Sequence, residues 1–66
     1  MKRWKAKDGS HTYIIEEKDD GKFDLMIDHL GDKMFWWFYS YESARNFLRN
    51  EYHFQGRMKQ IKEGAE

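Results

Sequence analysis

Apolar and polar residues alternate through the first half of the chain, which is the pattern of strands with one buried face. From Lys2 to Lys7, Trp4 and Ala6 fall on one side and Arg3, Lys5 and Lys7 on the other. Asp8-Gly9-Ser10 reads as a turn. A second strand is expected from Thr12 to Lys18 and a third from Lys22 to Asp28, with Asp19-Asp20-Gly21 turning the chain between them. Leu30-Gly31-Asp32 turns it again, into the uninterrupted bulky run Met34-Phe35-Trp36-Trp37-Phe38-Tyr39. Aromatics suit a pleated surface and pack badly in short helices, so this run is read as a further strand.

Burial selects the register of the central hairpin. A two-residue Asp-Gly loop would set Glu16 and Lys18 beside Phe23, Leu25 and Ile27. A three-residue loop, with a type I turn and Gly21 in the left-handed bulge position, instead sets Tyr13 and Ile15 beside Leu25 and Ile27. Only the second gives one apolar face, so it is preferred. Ile14, Glu16, Asp24, Met26 and Asp28 then share the back face. An even-length loop after Asp28 keeps Met34, Trp36 and Phe38 with the buried set and leaves Phe35, Trp37 and Tyr39 on the back. An odd-length loop exchanges the two sets, and either way about three large residues are left on the back.

A helix is expected over about residues 41–54. Ser40 is a good N-cap, and Glu42 suits the positive end of the dipole. Ala44, Phe47, Leu48 and Tyr52 form one apolar stripe at helical spacing, and Gly56 is a plausible stop. Met58 and Ile61 sit in a basic tail from Arg57 to Lys62, too short for periodicity to choose among strand, helical turn and irregular chain. The expected fold class is α+β: two layers, a meandering antiparallel sheet of three to four strands with one helix packed on one face.

This pattern has a functional consequence. The aromatic strand is apolar on both faces, and one helix covers only one. Either the tail folds across the remaining aromatics and closes the domain, or a greasy face stays open. Trp, Tyr, Phe and Met are enriched in interface cores, and large exposed apolar patches mark contact sites. The favoured expectation is a non-enzymatic protein–protein interaction module or small regulator. Met26, Phe35 and Trp37 would be its apolar anchors, and Asp24 and Asp28 would set charge preference. Its partner would be another protein or a second copy, and an exposed edge at the aromatic strand would favour the latter.

Composition narrows the field. Sixty-six residues make one domain with a marginal core, burying about 60% of the unfolded surface. There is no cysteine, which excludes disulfides and thiolate metal sites and is compatible with a cytoplasmic location. No stretch approaches the ~20 apolar residues of a membrane span. Aromatic content is 18%, so dense ring packing or self-association must supply the stability.

The net charge is zero, but its distribution is uneven. Residues 1–7 carry four bases and no acid, whereas residues 8–32 carry eight acids and two bases. The acidic hairpin (Glu16, Glu17, Asp19, Asp20, Asp24, Asp28) reads most simply as a solvated, solubilising face. In a functional reading it would imitate a phosphate backbone or dock on a basic protein, as small phage-type inhibitors of nucleic-acid enzymes do. Size and compactness alone would suit a small regulator encoded by a mobile element. The alternative function is nucleic-acid binding through Lys2, Arg3, Lys5 and Lys7 with the outer helix pair Arg45 and Arg49. Strands followed by a helix, with Phe38-Tyr39-Ser40 entering Ser43-Ala44-Arg45, are similar in layout to the arm-binding domain of tyrosine recombinases. That likeness carries no specific motif. It implies DNA read by a basic sheet face, where this chain places acids.

No phosphate loop, nucleophile elbow or paired metal spacing occurs. Asp28-His29 with Asp32 is the nearest approach to a metal set, and Glu16 with Asp24 the nearest to an acid–base pair. The expectation is no enzyme, no cofactor, no metal and no small-molecule substrate.

Overall fold

The computed structural model describes residues 2–61. Its elements are β1 (Arg3–Asp8), β2 (His11–Glu17), β3 (Phe23–His29), β4 (Asp32–Phe38), α1 (Tyr41–Tyr52) and β5 (Lys59–Ile61). They build one antiparallel sheet in the order β4-β3-β2-β1-β5, with α1 on one face. This is the expected two-layer α+β arrangement with an added strand. The tail supplies it, as β5 pairs with β1 through Arg3↔Ile61 and Lys5↔Lys59. Lys62, the last base of the tail, lies outside the described residues.

Turn chemistry sets the registers. In the β2–β3 hairpin the Gly21 amide donates to the Lys18 carbonyl at 3.1 Å, and the Lys18 amide donates to the Lys22 carbonyl at 2.8 Å. Gly21 takes φ +83°. These are the marks of a three-residue loop with a left-handed third residue, and they set Tyr13 opposite Ile27 and Ile15 opposite Leu25, as burial requires. The β3–β4 loop is the two-residue Leu30-Gly31, both in left-handed conformation (φ +53° and +93°). The Asp28 carboxylate steadies it by accepting from the Gly31 amide at 3.1 Å. This even count keeps Met34, Trp36 and Phe38 on the face of Ile27, Leu25 and Phe23.

Those residues meet the helix. Tyr13, Ile15, Leu25, Ile27, Ala44 and Leu48 are fully buried, and Phe54 is nearly so. Each large side chain among them contributes about 1.5–3 kcal/mol by leaving water. Around this core Phe47 packs on Trp36 and Phe38 with ring centroids at 4.9 and 5.4 Å, and Trp4 meets Tyr41 at 4.5 Å. Ser40 caps α1, its hydroxyl accepting from the Ser43 amide at 3.1 Å.

The helix ends before the expected stop. His53 enters the left-handed region (φ +55°), and the Phe54 amide donates back to the Leu48 carbonyl at 3.2 Å. The reversal carries Phe54 onto Tyr13, with ring centroids 4.9 Å apart. Burial of that ring, rather than glycine freedom, terminates α1. Gly56 instead makes space: a Cβ there would lie 2.9 Å from Phe54 Cε1, so its bareness admits the ring.

Candidate interaction face

Strand alternation writes the helix-free face as rows running across the sheet. The middle row reads Phe35, Met26, Ile14, Lys5 and Lys59 from β4 to β5. One flanking row reads Trp37, Asp24, Glu16, Arg3 and Ile61, and the other reads Lys33, Asp28, Thr12 and Lys7. The five residues expected to bind a partner therefore share one face, with Phe35 beside Met26, Trp37 beside Asp24, and Asp28 beside Lys33. Met26 and Ile14 are half-buried, whereas Phe35 is 71% and Trp37 52% exposed. Tyr39, just past β4, is 76% exposed and meets Trp37 edge-on at 5.0 Å.

The described C-terminal segment does not roof these aromatics. β5 adds at the β1 edge, the far side of the sheet from β4, so Ile61 shares the face but lies at its opposite end.

Two acids of the face, Glu16 and Asp24, are ion-paired. Lys18 Nζ lies 2.8 Å from Glu16 and 3.4 Å from Asp24, and Arg3 Nε lies 3.5 Å from Glu16. The hydrogen bond from Lys18 holds the Glu16 carboxyl below the usual range, with Arg3 adding to it, and the same bond raises Lys18. A carboxylate stabilised in its ionised form is the opposite of a general acid tuned towards neutrality. Asp24 is thus held by Lys18, and Asp28 bonds the Gly31 amide. Both stand as bonded framework within the face.

Sequence reasoning left Lys18, Lys22 and Ile14 out of the binding set. Lys22 Nζ sits 4.8 Å above the Trp37 ring. Period-two counting back from Met26 and Asp24 places Lys22 on this face, so the signal was present. Together with Lys18, Asp24 and Trp37, it frames a shallow hollow of about 470 Å³ against the hairpin turn.

The nucleic-acid set divides. Arg3, Lys5 and Lys7 lie on the open face, while Arg45 and Arg49 belong to the helix on the opposite side. Arg45 is bound into the fold: Nη1 donates to the Tyr41 hydroxyl at 3.0 Å and Nη2 to the Gly56 carbonyl at 2.6 Å. Arg49 donates to Asn46 Oδ1 at 2.7 Å. Lys2 alternates away from Arg3, and its carbonyl accepts from the Glu17 amide at 2.9 Å. In their place Arg57 and Lys59 join Lys5 and Lys7 around a hollow of about 470 Å³ at the β1–β5 edge.

On the helix side, His11 stacks on His29 at 4.3 Å, with Asp8 and Asp32 as their outer cross-strand neighbours. Asp28 points to the other face, which separates it from His29 and Asp32. Among the described residues no group of three or more His, Cys, Asp or Glu is placed to hold a metal ion. No helix among them is long and apolar enough to cross a membrane. Comparison with protein-family models, curated proteins and solved structures finds no match to this chain.

Proposed function

We propose that this chain is a non-enzymatic protein-interaction module that engages its partner through the aromatic end of the open sheet face. The exposure of Phe35 and Trp37, side by side on a face the helix does not cover, carries the proposal. Met26 and Ile14 extend the apolar stripe inwards along the middle row. The Lys18–Glu16–Arg3 network borders it with charges already compensated. Affinity then comes mainly from burying rings, each worth about 2 kcal/mol or more at a hot spot, and it depends weakly on salt.

A photo-crosslinking residue at position 35, expressed in cells, tests this. It should give discrete protein adducts that Trp37→Ala abolishes, and the same probe at Glu42 on the outer helix surface should give none. Equal labelling from both positions, or adducts indifferent to Trp37→Ala, would refute it.

The basic edge formed by Lys5, Lys7, Arg57 and Lys59 supports a second reading as a nucleic-acid contact. Titration with labelled single- and double-stranded DNA at two salt concentrations decides it. Phosphate contacts must weaken steeply as salt rises, and absent or salt-insensitive binding removes this reading.

A further inference from the structure

The two edges of the sheet are finished differently. β5 is three residues long and carries Lys59, which are the usual devices for blunting an edge. β4 is seven residues long, pairs with β3 without a bulge from Asp32 to Phe38, and carries most of the exposed large apolar side chains (Met34, Phe35 and Trp37, with Tyr39 following). The chain contains no proline to interrupt it.

The phase of the hydrogen bonds follows from the turn. A two-residue loop makes its flanking residues, His29 and Asp32, a hydrogen-bonded pair. Alternation then commits the backbones of Met34, Trp36 and Phe38 to β3 and turns those of Lys33, Phe35 and Trp37 outwards. The midpoint of Asp32–Phe38 is Phe35, one of the outward-facing residues. Hence an antiparallel copy of β4, related by a twofold axis through Phe35, overlaps the whole strand and is in bonding phase at once. Had β4 held an even number of residues, its midpoint would have fallen between two of them, and full overlap would have set outward groups against groups already used.

Side chains and charge fit the same arrangement. Phe35 meets its own copy, and Lys33 lies opposite Trp37 of the other chain, a cation against an aromatic ring. Met34 lies opposite Trp36, sulfur against ring. Each charged end of the strand faces an aromatic end, so no like charges are directly paired within β4, and Lys33 approaches the Trp37 ring beside Lys22, which lies 4.8 Å above it. The net charge of zero gives two copies no long-range repulsion.

We infer that the occupant of the β4 edge is a second copy of this chain, paired β4 to β4 about Phe35, giving one continuous sheet with both helices on the same side. This rests on the interaction-face reading and deepens it: the Phe35–Trp37 stripes of two copies merge into one central apolar platform.

Sedimentation equilibrium over a wide concentration range, with amide hydrogen exchange, tests the inference. The expected result is a dimer in which the Lys33, Phe35 and Trp37 amides are protected along with those of Met34 and Trp36. Phe35→Pro removes an outward amide together with an exposed ring and should give a folded monomer. Should proline perturb the strand, a synthetic chain with N-methyl-Phe35 keeps the ring and deletes the same donor, and it too should be monomeric. A wild-type monomer that still forms the position-35 adduct with another protein overturns the second copy as occupant and leaves the interaction face standing. A dimer that survives N-methylation, with its Lys33 and Trp37 amides exchanging fast, overturns edge pairing. A monomer that forms no adduct overturns both.

Discussion

Arg45 and Gly56 show how a residue's chemistry can be read correctly from sequence while its role is missed. An arginine on the outer face of a helix suggests a free cation, and a glycine past its end suggests a stop. Instead the guanidinium fastens the returning loop, and the glycine makes room for Phe54. Gly56 does not adopt positive φ, so the cost of Gly56→Ala is steric alone. Phe54 is wedged against Tyr13 and has little room to yield. Urea unfolding should therefore register a loss of about 1–3 kcal/mol, the scale of overpacking, and Phe54→Leu in the same background should recover part of it. Glu16 makes the other residue-scale prediction. Its folded pKa is lowered, so its contribution is present above the ordinary carboxylate pKa and is lost as pH falls through the lowered value. Lys18 is raised, so its contribution is lost only as pH climbs past the usual lysine range. Thermal melts of Glu16→Gln should show a shallower loss of stability on acidification than the wild type. Parallel acid limbs in the two proteins would contradict the Lys18–Glu16 pairing.

Adjacent tryptophans on opposite faces give a sharp test at the scale of the element. Trp36 packs on Phe47 under the helix, whereas Trp37 is half exposed on the open face. Trp36→Ala should cost about 3 kcal/mol in chemical denaturation, and Trp37→Ala about 0.5 kcal/mol or less. Reversal of that order would mean the strand is flipped. Ser40→Ala should remove about 1 kcal/mol through loss of the cap bond to the Ser43 amide. The alternation was legible in the chain, and burial chose the register of the central hairpin. Which half of residues 34–39 faces the helix hung on the length of the loop after Asp28, which the two-residue Leu30-Gly31 turn decides. β5 was not legible. Three residues carry no measurable period, and Lys59–Ile61 becomes a strand only because β1 leaves a free edge beside it. The helix over about residues 41–54 was legible, and it ends at Tyr52 with His53 as its left-handed cap because a distant ring, Tyr13, receives Phe54 there. On the open face, alternation placed Phe35, Trp37, Met26, Asp24 and Asp28 correctly. Their engagement with Lys18, Lys22 and the Gly31 amide needed geometry that no local pattern encodes.

For the molecule as a whole, small size and a β4 edge left unpaired among the described residues meet in one thermodynamic consequence. A chain of 66 residues without disulfides has a marginal core, and anything that binds only the folded form adds to its stability by mass action. The second copy inferred on β4 would be such a ligand, and its concentration would be that of the protein itself. The melting temperature should therefore rise with protein concentration and settle, on dilution, to the value of the lone fold. Phe35→Pro or N-methyl-Phe35 should melt near that dilute-limit temperature at every concentration, because the deleted amide points away from β3 and the core keeps all its contacts. Salt separates this from an electrostatic association: the seam joins backbone groups and rings, so added salt should leave the concentration dependence largely intact, while any binding at the Lys5–Lys7–Lys59 edge should fade. Differential scanning calorimetry at several concentrations and two ionic strengths reads both. A melting temperature independent of concentration in the wild type, equal to that of the N-methylated chain, would show that β4 stands alone in solution and that the fold is stabilised by its aromatic core without a partner strand.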